Sequence, residues 1–223
     1  MVAAEFLKTA TRRAEWPAER LPEVAFVGRS NVGKSSMLNA LVRRPGLARV
    51  SGTPGRTQAL QFFRVLRQDS PAARPRPLRL CDLPGYGFAR VSRQERERWA
   101  AMIEEYLQDR RDLAAVVLIV DARHEPTGSD GEALAFLAAH GRRVLVAATK
   151  IDKLPRARRF GAVRAIAQAL GLATDDVVAF SAVEGTGADA LWARIASLIR
   201  EDLPPEGEGR RDAADGQGGL PAR

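Results

Sequence analysis

Residues 28–35 read GRSNVGKS, preceded by the apolar run EVAFV at 23–27 and followed by a segment, 34–42, whose apolar residues recur at helical spacing. The spacing GxxxxGK[ST] between a strand and a helix is the phosphate-binding loop pattern. Gly28 and Gly33 let the backbone curl so that its N–H groups converge on a phosphate. A helix starting near Lys34 adds its positive N-terminal end. In such a loop Lys34 reaches the β- and γ-phosphates and the Ser35 hydroxyl ligates Mg²⁺, with Arg29, Ser30, Asn31 and Val32 as the intervening nucleotide-binding residues. A glycine turn followed by a solvated lysine would share these letters but would not require the flanking strand and helix.

On either side of this loop, short apolar runs alternate with longer helical patterns. Segments 23–27, 78–82, 114–121 and 143–149 are nearly continuous apolar runs, which suits strands of a sheet covered on both faces; 62–66 and 177–180 are weaker candidates. Segments 34–42, 95–108, 131–139, 158–170 and 188–200 carry helical spacing, and the last places Leu191, Ile195, Leu198 and Ile199 on one stripe with Trp192 at its edge. The alternation predicts a doubly wound α/β fold of six mostly parallel strands, with one antiparallel edge and about five helices. Ligands on such sheets bind at the carboxyl ends of the strands. Residues 69–77 (DSPAARPRP) are expected to form a long hairpin loop, because their prolines cannot continue a central strand. Residues 1–20 form an extension whose Phe6, Leu7 and Trp16 pack on the domain as a short helix ended by Pro17. The main domain then spans 21–200, and the tail at 201–223, poor in large apolar residues, is expected to be disordered.

The chain has 223 residues, 45% of them apolar, enough for one sizeable domain. Its longest apolar run, 113–120, is far too short to cross a bilayer, so a soluble, cytoplasmic protein without membrane contact is expected. Cys81 is the single cysteine, which excludes an intramolecular disulfide and a cysteine metal cluster; in its apolar run it reads as a small buried hydrophobe. A net charge of +8 favours anionic partners such as nucleic acid. Only four of the cations are lysines, Lys8, Lys34, Lys150 and Lys153, and such arginine preference can equally reflect coding bias.

Residues 82–87 read DLPGYG. An Asp at a strand end that holds Mg²⁺ through water, followed three residues later by a Gly whose amide meets a γ-phosphate, is the DxxG element of nucleotide switches, here Asp82, Leu83, Pro84 and Gly85. Alone it would be a tight turn; behind a phosphate loop it becomes a switch. Residues 149–152 read TKID. After a strand, the Asp152 carboxylate can accept two hydrogen bonds from guanine while the stem of Lys150 covers the ring, with Thr149 and Ile151 completing the segment. Adenine lacks that donor pair, and such sites can reject a wrong partner by ~10⁴-fold or more. Phe180, Ser181 and Ala182 supply a second wall whose backbone N–H can reach guanine O6.

Together GRSNVGKSS, TPGRTQ, DLPGYGFA, TKID and FSA resemble the EngB family of bacterial GTPases, in the Era- and TrmE-like group, over about residues 21–200. The resemblance implies Mg²⁺-dependent, slow GTP hydrolysis by a monomeric protein that assists assembly of the large ribosomal subunit and binds its precursor RNA, in a family linked to cell division and septation. It makes Thr57 rather than Thr53 the switch threonine on Mg²⁺, within the nucleotide-binding stretch Gly55, Arg56, Thr57, Gln58 and Ala59, and it sets Lys34, Thr57 and Gly85 as the catalytic group. Tyr86 stands where Ras-type enzymes place a water-orienting glutamine; a phenol cannot replace the amide, so its side chain is expected to turn away. In some relatives the residue at Asn31 helps hold a potassium ion, and the same is expected here, against the simpler role of capping the loop. Arg90, Arg93, Arg96 and Arg98 follow the switch glycine and would bind RNA phosphates when ordered, unless they are a solvated helix face interleaved with Glu95 and Glu97. His124 and His140 lack metal-ligand spacing, and Trp99 and Trp192 read as packing residues. The alternative function is a nucleotide-gated RNA-binding or division-associated scaffold with incidental hydrolysis.

Overall fold

The hydrophobic strand β5 (Leu113–Asp121) is buried along its whole length up to Val120, which requires cover on both faces. It lies next to the central strand β2 (Glu23–Gly28) in a seven-stranded sheet completed by β1 (Val2–Ala10), β3 (Leu60–Arg67), β4 (Arg76–Asp82), β6 (Val144–Thr149) and β7 (Val177–Ala179), in the order β1-β3-β4-β2-β5-β6-β7. The computed structural model describes residues 2–48, 59–68, 72–86 and 93–202, with only the backbone at 93–96, 99, 201 and 202.

Among the described residues, five α-helices cover the sheet. α1 (Lys34–Leu41) and α5 (Ala188–Asp202) pack on one face, burying Met37, Leu38 and Leu41 with Leu191, Trp192 and Ile195. α2 (Arg93–Asp109), α3 (Gly128–Ala139) and α4 (Arg156–Ala169) pack on the other, through Tyr106, Leu107, Leu137, Val163, Ile166 and Ala167. Trp192 is not at the edge of its stripe: it is 4% exposed and its indole N–H donates to the Leu41 carbonyl at 3.1 Å, tying α5 to the end of α1.

Three expectations are corrected. Among the described residues the sheet has seven strands, not six, because 2–10 is a strand rather than a short helix. Its residues pair antiparallel with β3, which would otherwise present an unpaired edge. A bulge between Phe6 and Lys8 makes this possible: Val2 and Ala4 meet the α1/α5 side of the sheet, while Leu7 and Ala10 meet the other side, a change of face that an unbroken period of two cannot give. Second, β3 is the antiparallel strand, but β1 covers it, so it is not the edge. Third, β4 begins at Arg76, inside the predicted loop. Arg76 and Pro77 pair only with β3, since the register with β2 starts at Arg79, so the proline lies where one side of the strand has no ladder to interrupt. Residues 69–71 and the tail from 203 lie outside the described residues, and no helix among the described residues is long and apolar enough to cross a membrane.

Candidate functional site

The five parallel strands β2, β4, β5, β6 and β7 all end at the same edge of the sheet. The phosphate-loop, DxxG, TKID and FSA segments leave four of these ends, so they converge there. Gly28 closes β2, and the loop reaches Gly33, whose φ of +100° is open to glycine at low cost, just before the first turn of α1 at Lys34 and Ser35. Asn31 takes a left-handed φ of 64°, and its amide makes no hydrogen bond among the described residues, so it does not cap the loop. Arg29, Ser30, Gly33, Lys34 and Ser35 are half-buried, and Val32 is buried.

The DxxG segment is stitched to this loop. Tyr86 N–H donates to the Gly28 carbonyl at 3.1 Å and Ser30 N–H to the Tyr86 carbonyl at 3.2 Å, a short parallel bridge. Gly85 lies so close that a side-chain carbon on it would meet the Gly28 carbonyl oxygen at 3.0 Å and the Ser30 nitrogen at 3.3 Å. Asp82, Leu83 and Pro84 are buried with it. The Lys34 ammonium contacts Asp82 Oδ1. Burial pushes the Asp82 carboxyl pKa up, and the charge and hydrogen bond of Lys34 oppose that shift. The second carboxylate oxygen has no protein donor among the described residues.

The Tyr86 ring turns away from the loop. Its hydroxyl donates to Asp130 Oδ1 at 2.9 Å, while Oδ2 of the same buried carboxylate accepts from the Thr127 N–H (2.8 Å) and hydroxyl (2.9 Å) as the capping box of α3. Burial first, then the Asp130 charge, raises the phenol pKa far above its ordinary value.

At the TKID segment, the Thr149 hydroxyl lies between the carbonyls of Val32 and Val120, joining β6 to the phosphate loop. Lys150, at φ 61°, extends over that loop: its ammonium donates to the Asn31 carbonyl and, at 2.9 Å, to Asp121 Oδ2. Asp121 also accepts from Arg123, and although burial opposes ionisation, these donors hold its pKa at about 2. Ile151 is buried; Asp152 accepts from the Ser181 hydroxyl at 2.8 Å, the chief cause of its lowered pKa. Ser181 accepts in turn from Glu184 N–H at 3.0 Å, with Phe180 buried and Ala182 half-buried beside it.

Gly55, Arg56, Thr57 and Gln58, together with Thr53, lie outside the described residues; Ala59 is half-buried immediately before β3. Of the arginines after the switch glycine, Arg90 and the side chains of Arg93 and Arg96 also lie outside them, and Arg98 is exposed. Asp121 and Asp130 went unread in the sequence. Asp121 was accessible in principle, as the terminal residue of a strand on the ligand edge; Asp130 has no local signal beyond its cap. No cluster of three or more metal-ligating side chains occurs among the described residues.

Residues 23–150 match the family described as 50S ribosome-binding GTPase. A protein named "Probable GTP-binding protein EngB" from Anaeromyxobacter sp. (strain Fw109-5) is 68% identical over 92% of this chain and 95% of its own, and one of the same name from Geobacter metallireducens is 47% identical over 92% and 98%. Among solved structures, one described as a "probable GTP-binding protein engB" superposes with a TM-score of 0.57 at 22% identity over 80% of this chain and 99% of that one. Era in complex with MgGDPNP and 16S ribosomal RNA gives 0.61 at 24% over 85% and 60%, a likeness of fold. The chain therefore belongs to the EngB family of GTP-binding proteins, P-loop GTPases that hydrolyse GTP.

Proposed function

We propose that this GTPase works as an assembly checkpoint: its GTP form docks on a maturing large ribosomal subunit and hydrolysis releases it, a cycle on which normal cell division and septation depend, in the cytoplasm and as a monomer. The observation that carries the reading is the convergence of the phosphate loop, Asp82 and the Asp152–Ser181 pair on one sheet edge. The family description, 50S ribosome-binding GTPase, names the same partner class.

The roles follow from position. The loop amides between Gly28 and Ser35 would cradle the β-phosphate, and Lys34 would exchange its contact with Asp82 for the terminal phosphates. The Ser35 hydroxyl and Asp82 through water would hold Mg²⁺, with Thr57 added to them by the family resemblance alone. The residues fit that ion: a hydroxyl and a buried carboxylate with one oxygen unspent are hard oxygen donors. When bound, the metal supplies charge that offsets the developing negative charge on the phosphates. The Gly85 amide would meet the γ-phosphate, and Asp152 would select guanine beneath the Lys150 stem. With the Tyr86 ring pointing to α3, no side chain of the DxxG segment orients the attacking water, so intrinsic turnover is slow and a partner surface accelerates it. The unengaged amide of Asn31 makes it the residue to assist a potassium ion; equal hydrolysis in potassium and sodium buffers would remove that part.

Sedimentation of ribosomal particles with the protein in GTP, GDP and non-hydrolysable analogue states tests the cycle. Co-migration with large-subunit precursors in the GTP and analogue states, and release in GDP, is expected. Migration indifferent to nucleotide would favour the scaffold alternative.

A further inference from the structure

The surface of α4 has a composition unlike the rest of the chain. The whole sequence balances 35 Lys and Arg against 27 Asp and Glu, whereas α4, RARRFGAVRAIAQA, carries four arginines and no acid. Its inner face is spent on the core through Val163, Ile166 and Ala167, and Arg159 is spent on Glu184 in a two-pronged ion pair at 2.7 and 2.8 Å. Arg156, Phe160 and Arg164 stand at successive i, i+4 steps along the outer face, about 6 Å of axial rise apart. All three are exposed, Phe160 at 69%. Arg156, Arg158 and Arg164 make no ion pair or side-chain hydrogen bond among the described residues.

A lone exposed phenylalanine needs no explanation, and a run of arginines is often only a solvated face. The combination is more specific: an aromatic ring flanked along the helix by unspent guanidiniums, with no carboxylate on the same element to repel a phosphate. By contrast, the arginine-lined cleft at the opposite edge of the sheet, of about 560 Å³, has Arg20 paired to Asp112 at 3.0 Å and Arg142 donating to the Leu107 carbonyl.

We propose that the outer face of α4 binds single-stranded RNA, a base stacking on Phe160 while Arg156 and Arg164 engage the phosphates on either side. Stacking platforms with flanking cations are how unpaired strands are held without sequence preference. A membrane surface fits less well, because the helix offers a single aromatic and its other large apolar residues, Val163 and Ile166, are already buried. The inference goes beyond the nucleotide-gated cycle. α4 follows the TKID segment, contains no part of the phosphate-loop, 49–58 or DxxG segments, and packs on β7, so its grip on RNA is independent of the bound nucleotide.

The test is a fluorescence-anisotropy titration of a labelled single-stranded RNA dodecamer with the full chain, in GDP and in a non-hydrolysable GTP analogue, at several salt concentrations. Equal affinity in the two states is expected. Phe160→Ala should bind roughly tenfold more weakly and Phe160→Trp at least as well as the parent. Arg156→Gln combined with Arg164→Gln should flatten the slope of log affinity on log salt by about 1.4. Each variant should keep the parent's thermal midpoint and GTP turnover. The proposal is overturned if Phe160→Ala binds RNA like the parent, if duplex RNA binds as tightly as the single strand, or if the variants lose only binding to anionic phospholipid vesicles or an acidic peptide. Because no ribosome enters this assay, failure of the sedimentation experiment with these results intact would remove the assembly cycle and leave the α4 site standing.

Discussion

The strands β2 and β4 carry a buried carboxylate at each end, and the two ends differ in how completely that charge is satisfied. At the edge away from the nucleotide site, Glu23 is fully buried and its two oxygens accept from Tyr106 Oη (2.5 Å), Arg79 (2.8 Å) and Arg110 (2.7 and 3.0 Å). The guanidiniums continue to the carbonyls of Glu19 and Pro17, and only Arg79 Nε lacks a partner. Burial opposes the charge on Arg110, yet the Glu23 hydrogen bonds prevail and raise its pKa. At the other edge, Asp82 is nearly as buried but meets one ammonium through one oxygen. Burial and charge alone therefore do not mark a working site. A buried carboxylate that keeps an acceptor oxygen free does, because there a ligand can replace a protein contact without leaving an orphan.

The strongest way to break this contrast is Glu23→Ala. It strands two guanidiniums in the core, and losing one partner of a buried ion pair costs about 3–5 kcal/mol. Urea unfolding should show a loss of that size, while the fraction that remains folded binds GDP as the parent does. A loss below about 1 kcal/mol, a surface-pair value, would make the cluster ornamental. Lys34→Ala should show the reverse pattern, with nucleotide affinity falling about 100-fold or more for a modest effect on the fold. That effect has a pH signature. Asp82 already has a pKa raised above 3.8, so the folded state holds its proton more tightly than the unfolded state, and stability falls as pH rises through the interval above the unfolded value. Without Lys34 that interval widens. The variant should lose more stability than the parent as pH rises above 3.8; parallel pH profiles would show that Lys34 does not oppose the upward shift of Asp82.

Asp121 sharpens the contrast at intermediate scale, because its donors are also binding-site residues. Its pKa of about 2 lies below the ordinary 3.8, so its stabilisation is present above pH 4 and is lost as pH falls from there towards 2. Asp121→Asn should cost about 1–2 kcal/mol at neutral pH after allowance for screening, a difference that shrinks in acid. It should also weaken GDP binding several-fold by releasing the Lys150 ammonium. Isothermal titration and pH-dependent urea melts read the two effects separately, and an unchanged GDP affinity would detach Asp121 from the site.

The sequence carried the nucleotide edge of the sheet well, because each motif there is a local string at the end of an apolar run, and parallel topology brings such ends together. It carried the support of that edge poorly. Asp121 and Asp130 act on Lys150 and Tyr86, 29 and 44 residues away in the chain, and no spacing rule links them. The strand at Val2–Ala10 was missed for a similar reason: its burial alternates weakly and changes face at the bulge, and its pairing with β3 is set by an edge fifty or more residues away. The α4 stripe was legible as letters, yet only the observed burial of Val163 and Ile166 shows that Phe160 is on the outer side.

The smallest effect is expected at Tyr86. Tyr86→Phe removes one donor from Asp130, which keeps two others at Thr127, so the stability loss should stay near 1 kcal/mol in a thermal melt. GTP turnover at saturating substrate should stay within about twofold of the parent, since the lost hydroxyl points at α3. If the phenol oriented the attacking water, removing its only polar atom would cost a factor of about 100 or more. The ring should matter more than the hydroxyl: Tyr86→Ala takes away the packing that fixes the Gly85 amide against the phosphate loop, so it should raise the KM for GTP while Tyr86→Phe leaves it alone. A split of that kind would identify the residue in the glutamine's place as an anchor for the switch backbone, with the chemistry left to the main-chain amide and the charges around it.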